Sequence, residues 1–366
     1  MGINVAVLAN LKKNAPHFDG MTDDAWDDLD SDITVNSIVS ALEARGHHAT
    51  FLEGNLSLVE TLPKLSPDIC FNLCEGHWGD SREAHVPSIL EMLRLPYTGS
   101  GVLALALSLD KPMTKRVLAF HGLATPPFQV FERPDEPLDA DLSFPLFVKP
   151  SREGTGMGVS GESIVRSEGE LRAQLAAQLA RYRQPILVEH FVRGREVTVG
   201  CVGNLTQPTA WRVPEDEVAT RVTYGLRFLP ALEVDFTAYP ESEGGVYTSR
   251  MKTEWAHDFH QFCPAPLDDD LVARLNWLTA AVFRVTGCLD VARVDFRLDA
   301  DQGDEPYILE VNPLPGLCPG ISDLVIEAEA AGIPYNDLIN KIFDAACTRY
   351  GLRANQTRYA EAEVPV

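Results

Sequence analysis

Cysteine is scarce and never arranged in pairs. The seven cysteines stand singly at 70, 74, 201, 263, 288, 318 and 347, with no CxxC spacing and an odd count. That excludes a disulfide framework and a zinc ribbon, and it points to reduced, buried thiols in a cytoplasmic setting. Long apolar runs are missing too. The longest, VLALALSL at 102–109, is far too short to span a bilayer. The opening MGINVAVLAN lacks a basic flank and reads as a strand, not a signal peptide. Positive charge is the third shortage: 31 basic residues face 53 acidic ones, a net charge of −22. Such a surface repels phosphate backbones and anionic lipid, which argues against nucleic acid or a membrane as partner. It leaves room for a local basic pocket around a small anion. No G-x-x-x-x-G-K-[ST] run, internal repeat or low-complexity tract is found.

What is present is an ordinary globular chain, long enough at 366 residues for two or three domains. The first third alternates strands and helices. Ile3 to Ala9, Ala49 to Leu52 and PDICFNL read as strands. Val35, Ile38, Val39 and Leu42 recur at helical spacing, with Asp32 placed to cap that helix and Gly46 to end it. Val86, Ile89, Leu90 and Leu93 make a second stripe. β-α-β alternation of this kind predicts an α/β domain around a mostly parallel sheet. Between the first strand and helix lies an acidic loop, MTDDAWDDLDSD. After Lys111 the pattern becomes a smaller α+β unit. It has strands FPLFVKP, PILVEHF and REVTVGCVG, and a helix opened by a capping box of Ser167 and Glu170. Residues 204–262 read as an irregular acidic stretch, expected to act as a flap. A helix over 268–287, two strands and a helix over 336–350 complete the chain. The polar tail is expected to fray.

Strand alternation singles out one pair of segments. In VARVDF, Arg293 and Asp295 share one face; in YILEVN, Glu310 and Asn312 share one face while Leu309 and Val311 share the other. The short connection predicts an antiparallel hairpin. Its polar face is either simply solvated or convergent. If convergent, two carboxylates and an amide oxygen make a hard site suited to magnesium holding phosphates, with Arg293 beside it for developing negative charge. The turn PLPG after it brings in Gly316, whose missing side chain lets a backbone N–H approach closely. The loop KPSREGTGMGVS is either a flexible hairpin or a phosphate cradle, and Lys149 at its start favours the cradle. Lys111 and Lys252 are further candidate cations. Glu189 and Glu196 flank HFVRGR, read as a turn between strands. There they either accept hydrogen bonds from an adenine amino group and ribose hydroxyls or merely face solvent.

The segments LPYTGSGVLALALSLDK, FVKPSREGTGMGVS, LVEHFVRGREVTVG, FCPAPL, TGCLDVARVDFRLD and YILEVNPLPGLCPG occur in the order found in the D-alanine–D-alanine ligases. The chain from about Leu95 to Tyr350 therefore resembles that family of the ATP-grasp superfamily. The resemblance implies a three-lobed ATP-grasp architecture with an N-terminal Rossmann-like parallel-sheet domain. Its lobes would be 1–110, 111–195 and 196–350, followed by a tail, 351–366. It implies ATP between the last two lobes, with Lys111 and Lys149 on phosphates, Glu189, Val192 and Glu196 around adenine and ribose, and Lys252 reaching the γ-phosphate. Asp295, Glu310 and Asn312 match the ligands of magnesium, for which manganese can substitute. Arg293 and the Gly316 N–H match the oxyanion donors, and Thr155 stands where the family's glycine loop has serine. Small amino-acid-like substrates and a homodimer are implied as partners.

Two departures concern the amino-acid pocket. The family's N-terminal Gly-rich turn followed by Ser and Glu is replaced by VLANLKKNAPHFDGM. Its Ser-Leu for the second substrate's carboxylate becomes GISDL, offering Ser322 with Asp323 as neighbour. A tyrosine expected after Lys252 is Thr253. The implied activity is an ATP-dependent carboxylate–amine ligation through an acyl phosphate, on D-alanine or on another amino acid or specialised-metabolite acid. The reading from another class is a nucleotide-binding module without turnover.

Overall fold

The computed structural model describes residues 2–207, 222–223, 225–240, 244–248, 250–251, 255 and 260–352. The tail beyond residue 352 lies outside the described residues. Strand β1 (Asn4–Ala9) is apolar on both faces because it is central, pairing in parallel with β2 (His48–Glu53) and β3 (Ile69–Leu73). Val5, Val7 and Ala9 pack on α1 (Asp32–Glu43), while Ala6 and Leu8 pack on α2 (Leu58–Leu65) and α3 (His85–Met92). The cap of α1 is Ser31, not Asp32: the Ser31 hydroxyl accepts the Thr34 N–H. Asp32 sits one place inside, where its charge suits the helix dipole without a capping bond.

Helices α4 (Val102–Leu109) and α5 (Lys111–Phe120) follow, α5 being capped by Asp110. Strands β4 (Phe128–Phe131), β5 (Leu146–Pro150), β6 (Ile164–Val165) and β7 (Ile186–His190) then form an antiparallel sheet in the order β4-β7-β5-β6. Helix α6 (Glu168–Tyr182) covers it, with Leu171 and Leu175 against Leu146, Val148 and Val188. Ser167 caps α6 as expected, although the Glu170 carboxylate accepts from Arg166 N–H, one residue before the cap.

HFVRGR does connect two strands, as expected, but they belong to different sheets. It carries the chain out of this sheet into a seven-stranded third sheet that begins with β8 (Gly194–Gly203). Gly194 is required there: a Cβ would lie 1.9 Å from the Leu298 carbonyl oxygen, at φ +146. The stretch 204–262, expected to be irregular, contributes four short strands to that sheet in its described parts. They are β9 (Val222–Thr223), β10 (Leu226–Phe228), β11 (Leu232–Val234) and β12 (Gln261–Phe262). Short strands between glycines and acidic residues carry too few residues for periodicity to register.

Helix α7 (Asp269–Thr286), capped by Asp268 and ended by Gly287, lays Leu275, Leu278, Val282 and Phe283 on the apolar face of β13 (Val291–Asp299) and β14 (Glu305–Asn312). These two strands form the expected antiparallel hairpin, with Arg293 opposite Asn312 and Asp295 opposite Glu310. Alternation fails at one point. The register shifts beyond Asp295, so that Phe296 faces Ile308 and Leu309 is an extra, bulged residue. Ile308 and Val311 enter the core, while Leu309 turns to the cleft beside Glu310.

Helices α8 (Asp323–Ala330) and α9 (Tyr335–Arg349) return the chain to the first lobe, where Ile339, Ile342 and Phe343 share a core with Val35, Ile38 and Leu42. Asp290 ties this junction. Fully buried at φ +64, it accepts from the Gly99 N–H (2.9 Å), Asn204 Nδ2 (2.7 Å) and Arg349 Nη2 (2.7 Å). All seven cysteines are free thiols; five are buried as expected, and Cys263 and Cys318 are partly exposed. Among the described residues no helix is long and apolar enough to cross a membrane.

Asp290→Ala leaves the partly exposed Arg349 guanidinium and the Gly99 N–H without this acceptor, so urea denaturation should show a loss of about 1–3 kcal/mol. A loss under about 1 kcal/mol would remove Asp290 from the role of tie between the first and last segments.

Candidate active site

The second and third sheets face each other across a cleft enclosing about 780 Å³, counted to its open mouth. One wall comes from β5 and β7, the other from β8, β13 and β14. The geometry follows from the period of two: Arg293, Asp295 and Arg297 alternate with the core residues Ala292, Val294 and Phe296, so all three present toward the same side.

Lys149, at the end of β5, forms an ion pair with Glu189 Oε1 at 2.8 Å. The other oxygen of Glu189 pairs with Lys115 at 2.7 Å, and Lys115 also donates to Thr125 Oγ1. Burial alone would push the Glu189 carboxyl up; the two ammoniums outweigh it and hold the pKa at about 2. Lys115 is completely buried, and the reading of the sequence missed it. A signal was there: it lies four residues after Lys111, on the same face of α5. Lys111 pairs with Glu310 Oε2 at 3.2 Å and donates to the main-chain oxygen of Glu153, reaching from the helix to both sheets.

Farther along the cleft, Arg297 was also missed, although it shares the alternation that singled out Arg293. Its guanidinium donates to Glu196 Oε2 (2.6 Å), the Val192 carbonyl (3.1 Å) and the Gly245 carbonyl (2.6 Å), and it stacks near Phe191 and Phe236. Glu196 and Val192 therefore line the cleft in fixed positions.

At the inner end, the hairpin brings Asp295, Glu310 and Asn312 together. Asp295 accepts from Arg293 Nε (3.0 Å), Thr198 Oγ1 (2.5 Å) and Asn312 Nδ2 (2.9 Å). Arg293 also reaches Asp323 at 3.4 Å. Burial works against its charge, but Asp295 and Asp323 outweigh that and raise its pKa well above the usual arginine value. The donor set of two carboxylates and one amide on facing strands suits a hard divalent cation, and each carboxylate already sits beside a cationic side chain.

A second pocket opens next to the cleft. It is lined by Thr155, Arg293, Asn312, Gly316, Ser322 and Asp323, and also by acidic residues of the N-terminal lobe. Lys111, Glu153, Tyr247 and Glu310 line both cavities. Gly316 is needed for close approach, since a Cβ there would stand 2.8 Å from Ser322 Oγ. Ser322 accepts the Cys318 N–H instead of capping α8. Thr155 holds a left-handed φ of 51°, unusual for a β-branched residue. The Tyr247 hydroxyl donates to Asp323 Oδ1 at 3.3 Å. Lys252 and Thr253 lie outside the described residues, so the expected γ-phosphate lysine is not located. Every other candidate falls on these two cavities.

The family profile of the D-ala D-ala ligase C-terminus matches residues 117–224 and 232–344. The D-alanine–D-alanine ligase of Syntrophotalea carbinolica is 34% identical over 86% of this chain and 91% of its own length. The uncharacterized protein y4sG of Sinorhizobium fredii is 35% identical over 86% of this chain and 88% of its own length. The crystal structure of the Bacillus anthracis D-alanine–D-alanine ligase complexed with ATP superposes with a TM-score of 0.69 at 22% identity, covering 96% of this chain and 99% of that one. Half-polar, half-apolar strands meeting at a cleft, a profile spanning most of the last two lobes and relatives aligned almost end to end agree: the chain belongs to the D-alanine–D-alanine ligase family and is an ATP-dependent, amide-forming ATP-grasp ligase.

Proposed function

We propose that the chain activates the carboxylate of one amino acid as an acyl phosphate at the expense of ATP and joins it to the amine of a second. The observation that carries this reading is the confluence of the two cavities: Lys111, Glu153, Tyr247 and Glu310 line both. A phosphate tail entering from one side and a carboxylate from the other would meet beside Lys111 and the hairpin.

Each residue then has a task set by its surroundings. Lys149 and Lys111, oriented by Glu189 and Glu310, present ammonium groups to phosphate oxygens. Val192 and Glu196, held by Arg297, are the contacts for adenine and ribose. Glu189 was a candidate adenine ligand. Because each of its oxygens is paired with a lysine, we assign it to positioning Lys149. Asp295, Glu310 and Asn312 would hold magnesium, or manganese in its place, which when bound neutralises charge on the transferring phosphoryl group. Arg293 remains cationic at the boundary and, with the Gly316 N–H, stabilises the oxyanion formed when the amine attacks. Asp323 faces Arg293 and Tyr247, so it orients the arginine, and Ser322 is left as the polar contact for the second substrate. Thr155 closes the glycine loop over the phosphates, with Lys252 as the additional γ-phosphate cation. Free thiols throughout support action in the cytoplasm, and a homodimer is the assembly we assign.

The direct test is phosphate release from ATP and mass spectrometry of products across a panel of D- and L-amino acids. Nucleotide binding without phosphate release for any amino acid would leave only the non-catalytic module. Asp295→Asn and Glu310→Gln should each lower kcat by at least about a hundredfold with circular dichroism unchanged; near-normal turnover in either removes the metal assignment. Arg293→Lys keeps the charge but loses the planar fork, so kcat should fall about a hundredfold while the ATP dissociation constant changes by less than about threefold. The reverse pattern would put Arg293 in nucleotide binding. Glu189→Gln leaves Lys115 buried without its counter-charge, and should cost about 3–5 kcal/mol in urea denaturation. Unaltered stability with lost discrimination between ATP and GTP would instead restore Glu189 to the adenine.

A further inference from the structure

The acidic pocket holds more carboxylate than the reaction requires. Its wall from the N-terminal lobe includes Asp27, Asp28, Asp30, Glu75 and Glu83. The first two are matched: Asp27 pairs with Lys12 at 2.6 Å and Asp28 with Arg82 at 2.9 Å. Among the described residues the Asp30 carboxyl has only a hydrogen bond from the Thr34 side chain. Glu75 and Glu83 have no hydrogen bond or ion pair among the described residues. Glu83 is only 9% exposed, so it is a nine-tenths buried carboxyl that lines the cavity near, but not paired with, Arg82 and Lys111.

The neighbouring cations are already engaged. Arg82 donates to Asp28, Glu153 and the Arg152 carbonyl, and Lys111 is held by Glu310 and the Glu153 carbonyl. Burial, reinforced by Asp28 and Glu310, outweighs these cations and pushes the Glu83 carboxyl up to about 7. Burial and the neighbouring carboxylates Glu83, Asp28 and Asp30 push Glu75 up as well. With the cavity empty, the buried Glu83 and the partly buried Glu75 favour their protonated forms, and a cation entering beside them would restore their charge. The α-ammonium of one bound amino acid supplies a single charge and matches one of them. The other is left free to accept from a second cationic group on the same ligand.

We propose that Glu75 and Glu83, with Asp30 beside them, receive a cationic side chain, and that one of the two ligated substrates is a dibasic amino acid bearing an ammonium or guanidinium group. The inference deepens the ligase reading and rests on it for the word substrate, while the binding itself does not depend on turnover. It also gives a role to the acidic N-terminal loop, whose last residues supply Asp27, Asp28 and Asp30. Those residues stand in the lobe where the family's usual ammonium-binding segment is absent.

The test is calorimetric titration of the full-length protein, without ATP, by lysine, ornithine and arginine in both chiralities. Norleucine serves as the uncharged match for lysine, and alanine as the small one. At least one dibasic acid should bind about tenfold tighter than norleucine. Glu83→Gln should collapse that ratio toward one, with Glu75→Gln as the second variant should the first fail to fold. Preference among lysine, ornithine and arginine separates ammonium from guanidinium. Equal binding of norleucine and every dibasic acid would overturn the proposal. So would a Glu83→Gln protein that weakens alanine as much as the dibasic acid, because Glu83 would then hold only the α-ammonium. Binding of a dibasic acid without phosphate release would uphold the pocket and defeat the ligase reading, so the two failures are distinguishable.

Discussion

The register of one β-hairpin governs the rest of the site. With Asp295 opposite Glu310 and Arg293 opposite Asn312, the polar positions of two strands form a single patch. A slip by one residue would exchange that patch for Val294 and Val311 and send four polar groups into the core beneath α7. Burial of the apolar face therefore enforces the polar face: the residues that exclude water on one side hold the charged groups on the other. The bulge at Leu309 is the one deviation, and it adds an apolar side chain to the cleft without disturbing the Asp295–Glu310 pair.

A second constraint is charge compensation in a chain of strong acidic excess. Among the described residues, each cation in and behind the cleft is held by a carboxylate: Lys149 and Lys115 by Glu189, Lys111 by Glu310, Arg293 by Asp295 and Asp323, Arg297 by Glu196. In a dry environment these pairs fix side-chain direction more than they add stability, because removing either partner strands the other. The result is a set of positive groups held in fixed positions within a protein of strong net negative charge. The acidic pocket is the exception, since Glu75 and Glu83 have no such ion pair among the described residues, and that asymmetry between the cavities is what points to a cationic ligand in one and an anionic ligand in the other.

Much of this was legible from local pattern. The parallel first sheet, the antiparallel hairpin, the amphipathic helices and the polar face of Arg293, Asp295, Glu310 and Asn312 all follow from periodicities of two and 3.6. The failures have identifiable causes. Strands of two or three residues within 204–262 are too short to show alternation, and their pairing with β8 is a long-range event. HFVRGR joins two strands as read, but that they belong to different sheets was not legible, because a crossover between sheets has the same composition as a turn. Lys115 resembled any surface lysine on a helix until Glu189 arrived from 74 residues away to pair with it.

The sequence by itself determined which residue types lie on each face of each element, and hence the inventory of cations, carboxylates and glycines available for chemistry, because side-chain direction depends only on local backbone geometry. Which of them meet was decided by the tertiary structure. Glu189 between two lysines, the cavities joined at Lys111, and the unmatched Glu75 and Glu83 exist only once separate sheets have docked, since compensation or its absence depends on distances that no local pattern encodes.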